Sequence, residues 1–112
     1  MTTHFMRLDD GPFVMIASGT KTVECRLYDE KRQRVVLGDR VTFTNTSDNS
    51  RTATVRVIGL LRYRTFADML THNNPVKFGS RDIASLTQVL NKYYSLDEQS
   101  RHGVLGIEFE LE

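Results

Sequence analysis

Apolar and polar residues alternate along several short stretches of the chain, which is the period of a strand with one buried face. The plainest case is residues 22–28, where Val23, Cys25 and Leu27 are apolar and the residues between them are polar. The same period predicts further strands at residues 4–8, 40–46, 52–63 and 104–111.

The longest of these segments contains a glycine. Ala53, Val55 and Val57 occupy one face before Gly59, and an alternation resumes after it at Leu61 and Tyr63. Glycine inside a strand is typical of a bulge or a tight bend. The sequence therefore predicts one long, bent strand of the kind that a small barrel uses at its corners.

Helical patterns lie between the predicted strands. Pro12 and Gly19 bracket a short helix at residues 13–18, because proline suits the first helical position and glycine suits the end. Thr65 caps a second helix that carries an apolar stripe, and Ser95 with Glu98 forms a capping box for a short helix at residues 96–102. Ser80 is predicted to cap the longest helix, residues 81–94, whose core-facing stripe is Ile83, Leu86, Leu90 and Tyr93.

These elements predict a single α+β domain over residues 1–112. Most connections after residue 22 have hairpin length, so the sheet should be mixed and largely antiparallel. We expect a small β-barrel with helices on its side. No internal repeat or linker divides the 112 residues.

Charge is unevenly distributed along the chain, although the net charge is only +1. Residues 19–64 hold ten lysines and arginines against five acidic residues, and residues 65–112 hold four against seven. A local positive field attracts phosphate even when the whole protein is nearly neutral. The basic excess is modest compared with that of a dedicated DNA-binding protein.

Several classes of protein are disfavoured by composition. No apolar run approaches the ~20 residues of a membrane helix, and the amino terminus has no basic and apolar leader. The single Cys25 excludes an internal disulfide and is expected to act as a small buried hydrophobe. The three histidines lie far apart, so we expect no metal and no cofactor. These features predict a cytoplasmic protein without a membrane partner, either a monomer or a weak homodimer.

The candidate chemistry lies on the polar face of residues 22–28. Glu24, Arg26 and Tyr28 should form one row with neighbours about 7 Å apart along the strand, with Lys21 at its mouth. This row predicts either the floor of a polar cleft or a solvated strand face with an ion pair. Further basic candidates for ligand binding are Lys31, Arg62 and Arg64.

The order Gly19-x-Lys21-x-x-Glu24-x-Arg26 after a short helix resembles the signature of the ASCH domain, a branch of the PUA-like superfamily of small β-barrels. The similarity continues in four further segments: Pro12-Phe13, Leu37 to Phe43, Tyr93-Tyr94-Ser95 and Gly103 to Ile107. The resemblance implies binding of RNA or nucleotides and, in one branch, amide hydrolysis of an acetylated cytidine by a lysine, a threonine and a glutamate. Lys21 matches that lysine. Glu24 stands at the threonine position, and residues 77–81 contain no acid to match the glutamate.

Three functions are consistent with this sequence. The first is binding of RNA or a modified nucleotide in a cleft beside Lys21, Glu24 and Arg26. The second is a small hydrolase, either an amidohydrolase on N-acylated cytidine or a ribonuclease, with Lys21 and Glu24 as catalytic residues. The third is a protein-interaction module that binds no nucleotide.

Overall fold

Five strands form one curled, mixed sheet in this computed structural model, which describes residues 1–112. The strands are β1 (Thr3–Leu8), β2 (Val23–Leu27), β3 (Arg40–Asn45), β4 (Thr52–Tyr63) and β5 (Val104–Leu111). Their order is β1-β3-β4-β5-β2, with β1 parallel to β3 and every other pair antiparallel. The predicted α+β class and the largely antiparallel sheet are confirmed, and β1 and β2 form the two open edges.

Four α-helices flank the sheet: α1 (Asp10–Ala17), α2 (Phe66–Thr71), α3 (Ile83–Tyr93) and α4 (Leu96–His102). Two short 3-10 helices span Arg32–Arg34 and Pro75–Phe78. The capping box of Ser95 and Glu98 is present, and Thr65 accepts a hydrogen bond from the Asp68 amide as predicted. Two helix starts differ from the prediction. α1 begins at Asp10, so Pro12 is its third residue, and the Asp82 carboxylate, bonded to the Ser85 amide, caps α3 in place of Ser80.

Both faces of the sheet are buried, each in its own apolar core. The inner core fills the curl of the sheet and contains Met6, Leu8, Phe13, Ile16, Val35, Val41, Phe43, Val55, Val57, Leu105, Ile107 and Phe109. The outer core lies between the sheet and α2 and contains Val23, Cys25, Leu27, Phe66, Met69, Leu70, Phe78 and Val104. The apolar residues of β2 are therefore buried as predicted, but beneath the helices and not inside the curl.

The helix α3 lies on the outside of the molecule and has no fully buried residue. Leu86 and Leu90 pack partly against the outer core, whereas Ile83 and Tyr93 are exposed. The prediction that Tyr93 joins the core is wrong, since Tyr94 takes that place with its ring 5.5 Å from the ring of Phe66. The cause is local: the helix ends at Tyr93, and the extended backbone of Tyr94 is no longer in phase with the helical stripe.

The predicted irregularity at Gly59 is a β-bulge that changes which side chains of β4 face the inner core. Val57 lies opposite Phe109, but Gly59 already lies opposite Glu108, so one residue of β4 is extra. Before the bulge, Val55 and Val57 face the inner core; after it, Leu60 does. Leu61 and Tyr63 do resume the alternation, but on the side of the outer core. As a result Arg62 faces the same side of the sheet as Leu60.

Gly106 of β5 lies against Met69 of α2, and this contact gives a stability prediction. A Cβ at Gly106 would lie 3.1 Å from the Met69 sulfur and 3.1 Å from Cγ1 of Val23. We expect Gly106→Ala to lower the free energy of unfolding by about 1–3 kcal/mol through overpacking. Gly11→Ala is the matched control: its Cβ meets nothing within 4 Å, and alanine in α1 should raise stability by about 0.5–1 kcal/mol. Urea melts of the two variants measure this difference, and equal stabilities would contradict the close approach.

Candidate functional site

Lys21, Glu24 and Arg26 form a buried ion triad at the inner face of β2. The Lys21 Nζ lies 2.9 Å from Glu24 Oε1, and the Arg26 Nη2 lies 2.9 Å from Glu24 Oε2. The Arg26 Nε donates a second hydrogen bond to Glu24 Oε2 at 3.0 Å. The side chains are 10%, 7% and 13% exposed in that order, so this face is not the solvated strand face that the sequence left open.

Chain geometry explains the meeting of these three groups. Glu24 and Arg26 are two residues apart in one strand, so they point to the same side, opposite the apolar residues of β2. Lys21 precedes the strand and is held by its amide, which donates to the Met15 carbonyl at the end of α1. The triad thus joins the start of β2 to the helix before it.

Electrostatics keep the Glu24 carboxylate ionised. Burial alone would raise the pKa of Glu24, but the charges of Lys21 and Arg26 and their hydrogen bonds outweigh it and hold the pKa below its ordinary value. Both carboxylate oxygens already accept from a cation. An ionised carboxylate with a lowered pKa and both oxygens bonded is a weak base, and it holds the two cations in one place. On the opposite face, burial raises the pKa of Cys25 to about 12, which favours the neutral thiol at neutral pH.

Arg26 also connects the two open edges of the sheet. Its Nη2 donates to the carbonyl oxygen of Arg7 in β1 at 2.9 Å. The barrel is therefore closed at this point by a side chain rather than by a ladder of backbone hydrogen bonds.

A groove of about 540 Å³ opens beside the triad, between the end of β4 and α4. We call it the arginine groove; it is lined by Tyr28, Arg62, Tyr63, Arg64, Thr65, Asp68, Gln99, Ser100, Gly103 and Val104. The Arg62 guanidinium carbon lies 3.9 Å from the centre of the Tyr28 ring. Arg62 and Arg64 are exposed and form no salt bridge with a carboxylate.

Arg62 of the arginine groove lies on the same side of the sheet as the triad, whereas Tyr63 and Val104 of the groove face the outer core. Arg26 and Arg62 both lie opposite Leu105, one on each neighbouring strand. Their backbones are therefore about 10 Å apart, which is two strand spacings. Six of the seven ligand-binding residues predicted from the sequence, all except Lys31, fall into these two adjoining groups.

Lys31 lies apart from the other predicted site residues. It precedes the 3-10 helix Arg32–Arg34 and lines a separate groove beside β1. The segment that contains it is also less solvated than its composition suggests. Val35 is buried in the inner core, and Arg32 bonds the Asp29 carboxylate at 3.1 Å with its side chain only 17% exposed.

Sequence patterns did not identify Gln99, which forms the buried end of the arginine groove. Its amide oxygen accepts from the Phe66 amide, and its amide nitrogen donates to Asn91 and to the Tyr94 carbonyl. Because α4 is polar after Leu96, nothing in the sequence distinguishes Gln99 from an exposed helical residue. Its hydrogen bonds fix α4 against the start of α2 and so set one wall of the groove.

Two further observations concern metal-ligating side chains and the length of the helices. Histidine, cysteine, aspartate and glutamate side chains nowhere gather in threes in a way that would hold a metal ion. None of the helices combines the length and the apolar character that crossing a membrane requires.

The curled mixed sheet with four flanking helices defines a PUA-like fold. The family model of the ASCH domain matches residues 6–112, so the chain belongs to the ASCH domain family. Membership in this family supports a PUA-like RNA-binding or related function. No curated protein matches the sequence.

Solved structures agree with this assignment. The chain is similar over 100% of its length, and 100% of theirs, to the crystal structure of the hypothetical protein PH0355, with 29% identity and a TM-score of 0.86. It is similar to the solution structure of protein PF0455 from Pyrococcus furiosus with 29% identity and a TM-score of 0.76, covering 97% of this chain and 96% of that one. The ASCH structure from Zymomonas mobilis shares the fold, with 13% identity, a TM-score of 0.67, and coverage of 96% of this chain and 66% of that one.

Proposed function

We propose that this ASCH domain binds single-stranded RNA or a modified nucleotide in the arginine groove, beside the ion triad. The observation that carries the proposal is the pair of Arg62 and Tyr28. A guanidinium stacked on an aromatic ring, with no carboxylate partner, offers a flat cationic surface to a ligand. The groove volume of about 540 Å³ falls in the range of small-ligand sites.

The groove supplies the two kinds of contact that unpaired nucleotides need. Bases stack on arginine planes and aromatic rings, and Arg62 on Tyr28 presents such a stack. Arg64, two residues further along the chain, is free to contact a phosphate. The protein in this proposal is cytoplasmic, acts as a monomer or a weak homodimer, and needs no cofactor for binding.

In this proposal the ion triad has a supporting role. Lys21, Glu24 and Arg26 together carry one net positive charge in a buried place, where screening by salt is weak. That charge favours a nearby phosphate. The hydrolase alternative, which needs Glu24 as a base, is not favoured, because both oxygens of this ionised carboxylate are occupied.

The test measures binding of two fluorescein-labelled oligoadenylates, one of two and one of eight nucleotides. Fluorescence anisotropy monitors the binding at two salt concentrations. We expect Arg62→Ala with Arg64→Ala to weaken binding of both lengths by about 2–4 kcal/mol, since each charge-assisted contact contributes ~1–3 kcal/mol. The logarithmic salt slope should fall by about 0.7 for each lost phosphate contact. Arg56→Ala is the matched control, because Arg56 is an exposed arginine of the same strand about 20 Å away.

Two results would contradict the proposal. Unchanged affinity and salt slope in the Arg62→Ala, Arg64→Ala variant would remove the arginine groove as the binding site. Conversion of N4-acetylcytidine to cytidine, measured by mass spectrometry and abolished by Lys21→Ala, would assign the protein to the hydrolases instead.

A further inference from the structure

A second groove runs along the open edge of β1, on the far side of the Tyr28–Lys31 segment. We call it the β1 groove; it holds about 400 Å³ and is lined by Thr2, Thr3, His4, Phe5, Lys31 and Arg34. Phe5 is 66% exposed, which makes it one of the two most exposed aromatic residues of the chain, with Tyr93. The exposure of this phenylalanine, on a strand with two cations beside it, has to be explained either by packing or by a partner.

Packing within the domain does not explain why Phe5 is exposed. The buried residues Met6 and Leu8 face the inner core, and Phe5 points to the opposite side of β1. Its neighbour across the sheet is Thr42, a small polar residue, and no helix covers this part of the outer face. The ring is therefore presented to solvent by the alternation of the strand.

The charges around Phe5 indicate the chemistry of a partner. Lys31 is exposed and has no carboxylate partner, and Arg34 is 73% exposed with one long contact of 3.6 Å to Glu30. Exposed pairs of this kind bind weakly and exchange readily with other anions. An accessible aromatic face flanked by two available cations matches an unpaired base with its phosphates.

We infer that the β1 groove is a second stacking site for single-stranded RNA, with one base on Phe5 and the adjacent phosphates at Lys31 and Arg34. The inference rests on the proposed function, because it extends the same RNA strand from the arginine groove. Tyr28 lines that groove and Lys31 lines this one, and three residues span at most about 11 Å. The Gln33 amide bonds the Asp29 carbonyl, so the intervening chain is turned and the two grooves lie closer still.

The positive charge of this edge also disfavours pairing of β1 with a β-strand of another protein. Lysine and arginine on an edge strand discourage pairing with another chain. Arg7 follows Phe5 on the same face, and Lys31 and Arg34 stand beside it. A basic edge of this kind suits a polyanion better than it suits a β-strand of another protein.

The test compares the same two probes, oligoadenylate of two and of eight nucleotides, on Phe5→Ala. We expect the affinity for the octanucleotide to fall about tenfold, in line with the loss of one stacked base. Affinity for the dinucleotide should stay within a factor of two, because the dinucleotide occupies the arginine groove. Phe5→Trp should restore octanucleotide binding, since tryptophan also stacks. Ile58→Ala, which truncates another exposed apolar residue, is the control and should bind as the unmodified protein does.

The outcomes separate this inference from the function on which it rests. Unchanged octanucleotide affinity in Phe5→Ala overturns the second site while leaving the arginine groove intact. Unchanged affinity and salt slope in the Arg62→Ala, Arg64→Ala variant overturn the proposed function. A concentration-dependent dimer in light scattering that disappears in Phe5→Ala assigns the edge of β1 to self-association and overturns the RNA site. Thermal melts confirm that each variant is folded.

Discussion

Glu24→Ala is expected to lower the free energy of unfolding by about 3–5 kcal/mol, the usual cost of removing one partner from a buried ion pair. The variant would leave Lys21 and Arg26 facing each other without the carboxylate that now bonds both. Two like charges would then remain in a site that water barely reaches. Urea melts at neutral pH measure the loss.

The same carboxylate should make stability depend on pH. Because the folded-state pKa of Glu24 lies below its ordinary value, Glu24 stabilises the fold above the unfolded pKa of about 4.5. That contribution is lost as the pH falls through the folded pKa. Glu24→Ala should therefore show a flatter pH dependence between neutral pH and strongly acidic pH.

The control for this prediction is Glu30→Ala. Glu30 also faces an arginine, but its side chain is 91% exposed, so we expect a change within about 0.5 kcal/mol. Equal losses in the two variants would show that the triad contributes no more than a surface ion pair.

Phe109→Ala should be similarly damaging, with an expected loss of about 3–5 kcal/mol through a cavity in the inner core. Phe109 is buried, its ring centre lies 5.8 Å from that of Phe43, and it faces Val57 across β4 and β5. The curl of the sheet fixes these neighbours, so they have little freedom to fill the space. Calorimetry or denaturant unfolding gives the loss directly.

Leu86→Ala provides the comparison. The helical stripe of α3 predicts a core residue and a loss of about 2–5 kcal/mol for Leu86. The structure places Leu86 only half-buried at the edge of the outer core, so we expect about half that loss. A loss as large as that of Phe109→Ala would mean that α3 packs more tightly than it does here.

Local patterns predicted the elements of the fold well, because each pattern depends on neighbours along the chain. The alternation in β2 correctly separated Glu24 and Arg26 from Val23 and Cys25. It did not indicate that both faces would be buried, since periodicity reports which side chains share a face and not what covers that face. For the same reason the helical stripe of α3 predicted Tyr93 as a core residue, although it is Tyr94 that packs partly against the outer core.

The candidate site was only partly predictable. Its basic residues were found from charge and position, but their grouping depends on strand order and register. Arg26 and Arg62 lie on either side of β5, both opposite Leu105, and β5 comes from the far end of the chain. Lys31, close to Tyr28 in sequence, falls into another groove because the segment between them turns. The roles of all these residues in binding stay predictions until the variants are measured.

The bulge between Val57 and Gly59 has a consequence for comparing relatives of this protein. One residue there decides whether odd or even positions of the second half of β4 face the same side of the sheet as the ion triad. A relative that lacks the extra residue would align with this chain across a one-residue gap, and the positions matched to Arg62 and Arg64 would depend on where that gap is placed. Functional residues should therefore be transferred between family members by the pairing of β4 with β5, and not by column position in a sequence alignment.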